Sequence, residues 1–447
     1  MSTTPRHYHC AIIGGGPAGT GPLVYGAWSG RLGELLERGL AVVEGGGELG
    51  AGRLERYAIN SNSTGATFLE CLEHDVASPY LAEAGASPLR EQIGRYRDAV
   101  LPLDLAGGLL RTIGRDLLGA VQRADASQAY LNTRAEEVRV LAPNKFEITL
   151  RATGASEPER ISAASVLLAT GGTPQITRET GAQIAAACRA QGLPRLPLML
   201  SSDELLQESG RRGAEAWLDG YDQPQVLVIG GAHSAFSSAW LVLERLRGGF
   251  ELVPGAVTLL HRSPIKVFYD TAEQARADGY DAFAPGDIGS KGQVFPMAGL
   301  RGDAKALYRR VAGLGDAAPE PRLRLARLPQ DAAGFAALGI DWKNLALVVF
   351  ATGYLQPEVP LRNARGAPIA LHGQYTERYV DQQCRLLDVF GSPIPGLYAT
   401  GFTSGFSPSD MLGGEPSYAG KENSVWLCQH MLGEALFNTL VRAGGRA

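Results

Sequence analysis

Cysteine is scarce in this chain and never paired. Cys10, Cys71, Cys188, Cys384 and Cys428 are scattered over 447 residues with no C-x-x-C, which excludes a dithiol relay and argues for a reducing compartment. The seven histidines show no metal-ligand spacing, so no metal is expected, and "HYH" at 7–9 reads as a solvated lead-in strand. Long apolar runs are absent too. Nothing approaches the roughly 18 to 20 residues that span a bilayer, and "MSTTPRHYHCAIIGGG" lacks the apolar core of a secretory signal. Neither sign of charge dominates: 42 Lys and Arg face 46 Asp and Glu, for a net charge of −4. No basic footprint for nucleic acid or an anionic membrane results. The expectation is a cytoplasmic protein acting on a small molecule, with no nucleic-acid or membrane partner; a homo-oligomer stays open.

Glycine is what the chain has in excess, with 57 residues, close to twice the usual share. They gather at strand-to-helix junctions rather than in a repeat. "HYHCAIIGGGPAG" (7–19) runs an apolar strand into G-x-G-x-x-G, with Gly14, Gly16 and Gly19 at its three positions and Pro17 and Ala18 between. That pattern gives a tight turn, a bare backbone beside a pyrophosphate, and close helix–strand packing. The helix N-terminus adds unpaired N–H groups and a positive dipole end. The next strand, "GLAVVEGG", ends in Glu44, an acid placed to accept hydrogen bonds from an adenosine ribose. Three strand-like stretches between 128 and 172 then predict an antiparallel meander returning to a parallel sheet.

A second strand–turn–helix opens at "QPQVLVIGGAHSAF". Gly230 holds the first position, Ala232 the second and Ala235 the third, with His233 and Ser234 between. Alanine is accepted at the third position, whereas at the second it crowds the phosphate. The following strand, "AVTLLHRSP", ends in Arg262 about where the first unit had Glu44. A guanidinium there suits the 2′-phosphate of NADPH; the alternative is a surface arginine on a loop.

Ala-Thr-Gly occurs three times, in "LLATGG" (167–172), "FATGY" (350–354) and "LYATGF" (397–402). Each follows a strand whose tip would emerge at the ligand-binding edge of a parallel sheet. The first, with Thr170 and Gly171, would close the first unit. The second, with Thr352, Gly353 and Tyr354, would end the second unit. The third, with Gly401 and Phe402, would return to the first nucleotide.

The order "GGGPAG", "ATGG", "GGAHSA", "FATGY", "GLYATG" resembles the two-dinucleotide-binding-domain flavoproteins. Within them it is similar to the class B flavin monooxygenases, most of all the lysine/ornithine N-hydroxylases. His233 stands where that family usually has Gln, and Phe402 where many relatives carry Asp. The resemblance implies an α/β fold of two Rossmann-like three-layer domains, the NADPH domain inserted in the FAD domain. It implies FAD on 1–205 and 352–447, and NADPH on about 206–351. The activity it implies is NADPH- and O2-dependent oxygenation of a small molecule at nitrogen or sulfur, through a C4a-hydroperoxyflavin. The alternative is an NADPH-dependent FAD reductase serving a quinone or redox partner.

Because the flavin carries such chemistry, the protein need only position and shield. In "INSNSTGATFLECLEH" (59–74), Asn60, Asn62, Ser63 and Thr64 are candidates for the face over the isoalloxazine; the other reading is a polar loop capping a helix that begins near Thr67. In "SPSDMLGGEPSYAGKENSVW" (407–426), Gly413 and Gly414 either face the flavin pyrimidine or simply start a final helix. The segment 267–288 reads as too irregular for core, lining a cleft or making a surface excursion.

Overall fold

The computed structural model describes residues 5–74, 78–193, 195–355, 359–376, 378–402, 404–407, 413–420 and 424–443. Two sheets organise them. In the first, Gln128–Tyr130, Leu40–Val43, Arg6–Ile13 and Glu159–Leu168 run parallel in that spatial order. The outer edge of Glu159–Leu168 is shared. Its first half pairs antiparallel with Lys145–Ala152, itself paired with Thr133–Ala142, and its second half pairs parallel with Pro393–Ala399. The meander expected from the sequence is therefore present.

The second sheet is wholly parallel, in the order Leu198–Ser201, Leu345–Phe350, Gln225–Ile229, Val257–His261, Leu323–Arg327. It takes up the chain at Leu198, ahead of position 206. Its central strands, "QVLVI" and "LALVVF", are buried along their whole length, as parallel strands covered on both faces must be.

Each sheet has one glycine turn at its ligand-binding edge, and a strand end packs onto it. Gly14 has φ +108, and a β-carbon there would lie 2.2 Å from the Ala169 carbonyl oxygen. Gly230 has φ +143, and a β-carbon there would lie 2.4 Å from the Ala351 carbonyl oxygen. In both turns only glycine combines that backbone with that contact. The third repeat completes the set, since a β-carbon on Gly401 would lie 2.7 Å from the Ala18 β-carbon. The first two repeats also carry the chain between the sheets. Thr173–Pro174 pairs antiparallel with Tyr354–Leu355, the Gln175 N–H donates to the Gly353 carbonyl at 2.9 Å, and the Thr352 hydroxyl donates to the Gln175 carbonyl.

Two local expectations need correction. The region after residue 59 opens on a strand rather than a loop, while the helix expected near Thr67 is present and starts at Gly65. Asn60–Thr64 is a strand paired with Val100–Pro102, and the short helix Gly65–Leu69 follows directly with Thr64 as its N-cap. Strand pairing occupied polar residues because their partner lies some forty positions on, beyond any local pattern. The excursion after Arg262 is also more than an irregular surface piece. Val267, Tyr269, Ala275, Tyr280, Val294 and Phe295 are buried together as a small core of their own. They meet because bridges Val267↔Leu300 and Tyr269↔Val294 fold the segment back on itself.

Residues 408–412 and 421–423 of the glycine-rich C-terminal segment lie outside the described residues. Beyond them, Ser424 caps the helix Val425–Gln429, and Met431–Arg442 follows. All five cysteines are buried. Among the described residues no helix is long and apolar enough to cross a membrane, and no three His, Cys, Asp or Glu gather as metal ligands.

The glycine turns predict an asymmetry. Gly14→Ala should cost more than about 1 kcal/mol of stability, since strain at positive φ adds to the carbonyl clash. Gly16→Ala should fall within about 0.5 kcal/mol of wild type, because Gly16 has φ −73 and its β-carbon would meet only the Gly52 α-carbon at 3.7 Å. Denaturant unfolding of the apoprotein checks both; equal losses would contradict the packing argument.

Candidate active site

The first glycine turn leads into the helix Pro17–Trp28, with Gly16 as N-cap and Pro17 at its first position, where the missing proline N–H costs nothing. Glu44 at the neighbouring strand tip accepts from the Gly15 N–H at 2.6 Å and the Gly46 N–H at 2.7 Å. A carboxylate offers about four acceptor positions, so two remain for ribose hydroxyls. The space beside Gly16 is open, as its would-be β-carbon contacts show. Bare backbone, helix N-terminus and acid therefore stand together, and they fit an adenine dinucleotide such as FAD.

The second turn is built alike. Ala232 is the N-cap of the helix His233–Glu244 at φ −112 and ψ −171, an extended conformation open to any residue. The alanine in place of glycine therefore causes no strain and only adds a methyl group. Ala235 is buried against Gly230. Arg262 is exposed just past the tip of Val257–His261, and among the described residues it has no carboxylate within ion-pair reach. This turn has the geometry to receive a second dinucleotide.

His233 is fixed by its surroundings. Its Nε2 accepts from the Arg301 N–H at 3.0 Å, which puts the ring proton of the neutral form on Nδ1. Burial, with the Arg301 cation adding to it, pushes the imidazole down to about 4. The Arg301 guanidinium is held 3.7 Å over the Phe268 ring, and the Lys305 ammonium lies 3.7 Å over the Tyr269 ring. Burial lowers both cations.

The candidates over the flavin fall into one short strand with different surroundings. Asn60 donates from its amide to Asp303 at 2.8 Å. Ser63 donates from its hydroxyl to the Asn62 side chain at 3.5 Å and from its backbone N–H to Ser61 at 2.9 Å. Thr64 caps the next helix without a side-chain bond. Tyr354 and Phe402, from the second and third Ala-Thr-Gly repeats, meet edge to face with ring centroids 4.5 Å apart. Gly413 has φ +87 with open space around its α-carbon, and Gly414 is buried. Next to them, buried Glu415 accepts from the Met297 N–H at 2.8 Å and the Ala298 N–H at 3.0 Å, tying the excursion to the glycine segment. Thr170 and Gly171 lie at the first crossover, with Gly171 at φ +71.

No protein-family model matches the chain. It is 31% identical to a CMP-5′-(3-aminopropyl)phosphonate hydroxylase of Streptomyces rubellomurinus, over 97% of this chain and 98% of that protein. The chain belongs to the class B flavin monooxygenases. Each of its two glycine turns has the geometry to receive an adenine dinucleotide. Its fold is that of the solved N-hydroxylases. The ornithine N-hydroxylase of Kutzneria sp. 744 superposes with a TM-score of 0.53 at 14% identity, over 98% of this chain and 99% of that one. The ornithine hydroxylase of Pseudomonas aeruginosa gives 0.55 at 13% identity, over 98% and 99%. A cadaverine monooxygenase of Erwinia amylovora gives 0.55 at 14% identity, over 99% and 95%.

Sequence reasoning missed Arg53, Asp203, Arg301, Asp303 and Glu415. Only Asp203 had a signal, lying inside the capping box Ser201–Glu204; the others act across distances that spacing does not encode.

The half-buried imidazole makes a pH prediction. In the unfolded chain it titrates near 6.5 and in the monooxygenase at about 4. Between those values the unfolded state binds more protons, so stability is full above about 6.5 and is lost as pH falls toward about 4. Relative to His233→Gln, the wild type should lose about 3 kcal/mol across that window, measured by denaturant unfolding. Parallel pH profiles for the two proteins would show that His233 is not held neutral.

Proposed function

We propose that FAD binds on 1–205 and 352–447, that NADPH binds on about 206–351, and that the reaction is N-hydroxylation of a small primary amine. The observation that carries this reading is the 31% identity, over nearly the whole length of both chains, to a hydroxylase whose named substrate ends in an aminopropyl group. When bound and reduced, the flavin would activate dioxygen and supply the oxygen atom. The protein then has to place an uncharged amine nitrogen, shield it and exclude water.

Asn60, Asn62, Ser63 and Thr64 suit that role as neutral hydrogen-bonding groups, with the Asn60 amide oriented by Asp303. Pro17, Ala18, Gly14, Gly16, Gly19 and Glu44 would hold the FAD pyrophosphate and ribose, with the Gly401–Phe402 turn against Ala18, while Gly413 and Gly414 would face the flavin pyrimidine. Gly230 to Ala235 would hold the NADPH pyrophosphate, with the free Nδ1–H of His233 as a fixed neutral donor. Arg262 would meet the 2′-phosphate. We infer further that the amine sits on an anionic, nucleotide-linked body, as in the named substrate of that relative. Arg301 and Lys305 are suited to meet it, since among the described residues neither has a carboxylate within ion-pair reach.

The test is to supply the flavin-loaded enzyme with NADPH, oxygen and a panel of amines that includes CMP-5′-(3-aminopropyl)phosphonate. The expected result is NADPH oxidation stimulated by one amine, and a product one oxygen atom heavier that reacts as a hydroxylamine. Oxidation of all the NADPH with its electrons passed to dioxygen as hydrogen peroxide, whichever amine is present, would overturn the reading. For the cofactor, Arg262→Ala should raise the KM for NADPH by about ten- to hundredfold, the value of one charge-assisted hydrogen bond. The KM for NADH should hardly move; equal losses would remove the 2′-phosphate contact.

A further inference from the structure

Asp203 is 3% exposed, and its carboxylate collects side chains from three separate parts of the chain. The Tyr57 hydroxyl donates to Oδ1, and the Tyr354 hydroxyl donates to the same oxygen at 3.3 Å. Arg53 and Gln207 donate to Oδ2 at 3.0 and 3.1 Å. Arg53 and Tyr57 belong to the loop that follows the Glu44 strand. Tyr354 belongs to the crossover back from the second sheet, and Asp203 and Gln207 to the second sheet's entrance. Burial raises both phenols, Tyr354 to about 12, so each stays a donor at working pH.

The contact continues into the backbone. The Ala58 N–H donates to the Leu206 carbonyl at 2.8 Å, and Tyr57 and Gln207 form an antiparallel bridge. Tyr57, Ala58 and Ile59 pack against the core of the second sheet. Asn60, next in line, donates to Asp303 on the second unit's helix Gly302–Ala312. The segment 53–64 thus lies by sequence after the Glu44 strand, and is fastened through Arg53 and Tyr57 to Asp203, just past the second sheet's edge strand Leu198–Ser201, and through Asn60 to Asp303. The Ser201–Glu204 capping box holds Asp203 rigidly in the first turn of its helix.

We propose that Asp203 is a positioning residue that locks the flavin-facing segment 53–64 to the nicotinamide-binding unit. The idea rests on the function proposed above. Without the lock, the two units can turn against each other and the segment over the flavin loses its fixed place. A misplacement of about 1 Å in such a constellation costs on the order of a hundredfold in rate. Asp203 touches no reacting atom; it acts through Tyr57, Tyr354 and Arg53.

The test uses flavin-loaded full-length enzyme carrying Asp203→Asn, with Tyr57→Phe and Tyr354→Phe as milder variants that each remove one donor. Two readouts are taken without amine or oxygen: amide hydrogen exchange, and the rate of flavin reduction by NADPH. Asp203→Asn should raise exchange in residues 53–64 and slow flavin reduction by about tenfold or more, with FAD content unchanged. Tyr57→Phe and Tyr354→Phe should do the same to a smaller degree. Exchange in 53–64 unchanged in all three variants would overturn the proposal, as would a uniform rise across both sheets with loss of FAD. Wild-type enzyme that hydroxylates no amine would refute the proposed function instead, and these exchange measurements would still stand.

Discussion

The Ala169 and Ala351 carbonyl oxygens occupy the places where side chains of residues 14 and 230 would begin. Everything at the site depends on those two absences. With glycine in each turn, a strand end can seat directly on the turn, and the helix that follows starts close to the sheet. The helix N-terminus and the strand tips then share one edge, where a dinucleotide can lie along bare backbone. A β-carbon at either position would push the strand end away and open the packing on which the sheet and crossover both rely.

The same constraint explains why Ala-Thr-Gly recurs. Alanine is small enough to deliver its carbonyl to the turn, and threonine can anchor the crossover, as Thr352 does on Gln175. The glycine then lets the backbone leave in a new direction. Because the outgoing and returning crossovers pair with each other at 173–174 and 354–355, the two sheets are joined by a short ladder. The buried Asp203 carboxylate lies beside that ladder and accepts from Tyr354 within it.

The fold and the cofactor class were legible in the sequence because they are local. Gly14 with Glu44, and Gly230 with Arg262, announce themselves within some thirty residues, and the apolar runs mark buried parallel strands. What was not legible is what couples distant segments. The Asn60–Thr64 strand finds its partner at Val100–Pro102, and the aromatic residues from 267 to 295 form a core only after the chain folds back. Arg53 and Asp203 meet across about 150 positions, and Asn60 and Asp303 across about 240. Hydrophobic period and motif spacing carry no information at that range. The departures from the family pattern become clearer in space. Ala232 occupies a backbone conformation that tolerates it, His233 accepts through Nε2 from the Arg301 N–H, and Phe402 packs against Tyr354.

The central claim is that two nucleotide cradles serve one electron transfer. The most direct measurement adds NADPH without oxygen to protein loaded with FAD and follows the flavin absorbance. The yellow colour should bleach, and return when oxygen is admitted. Protein that retains no FAD, or whose bound flavin NADPH leaves oxidised, would contradict it.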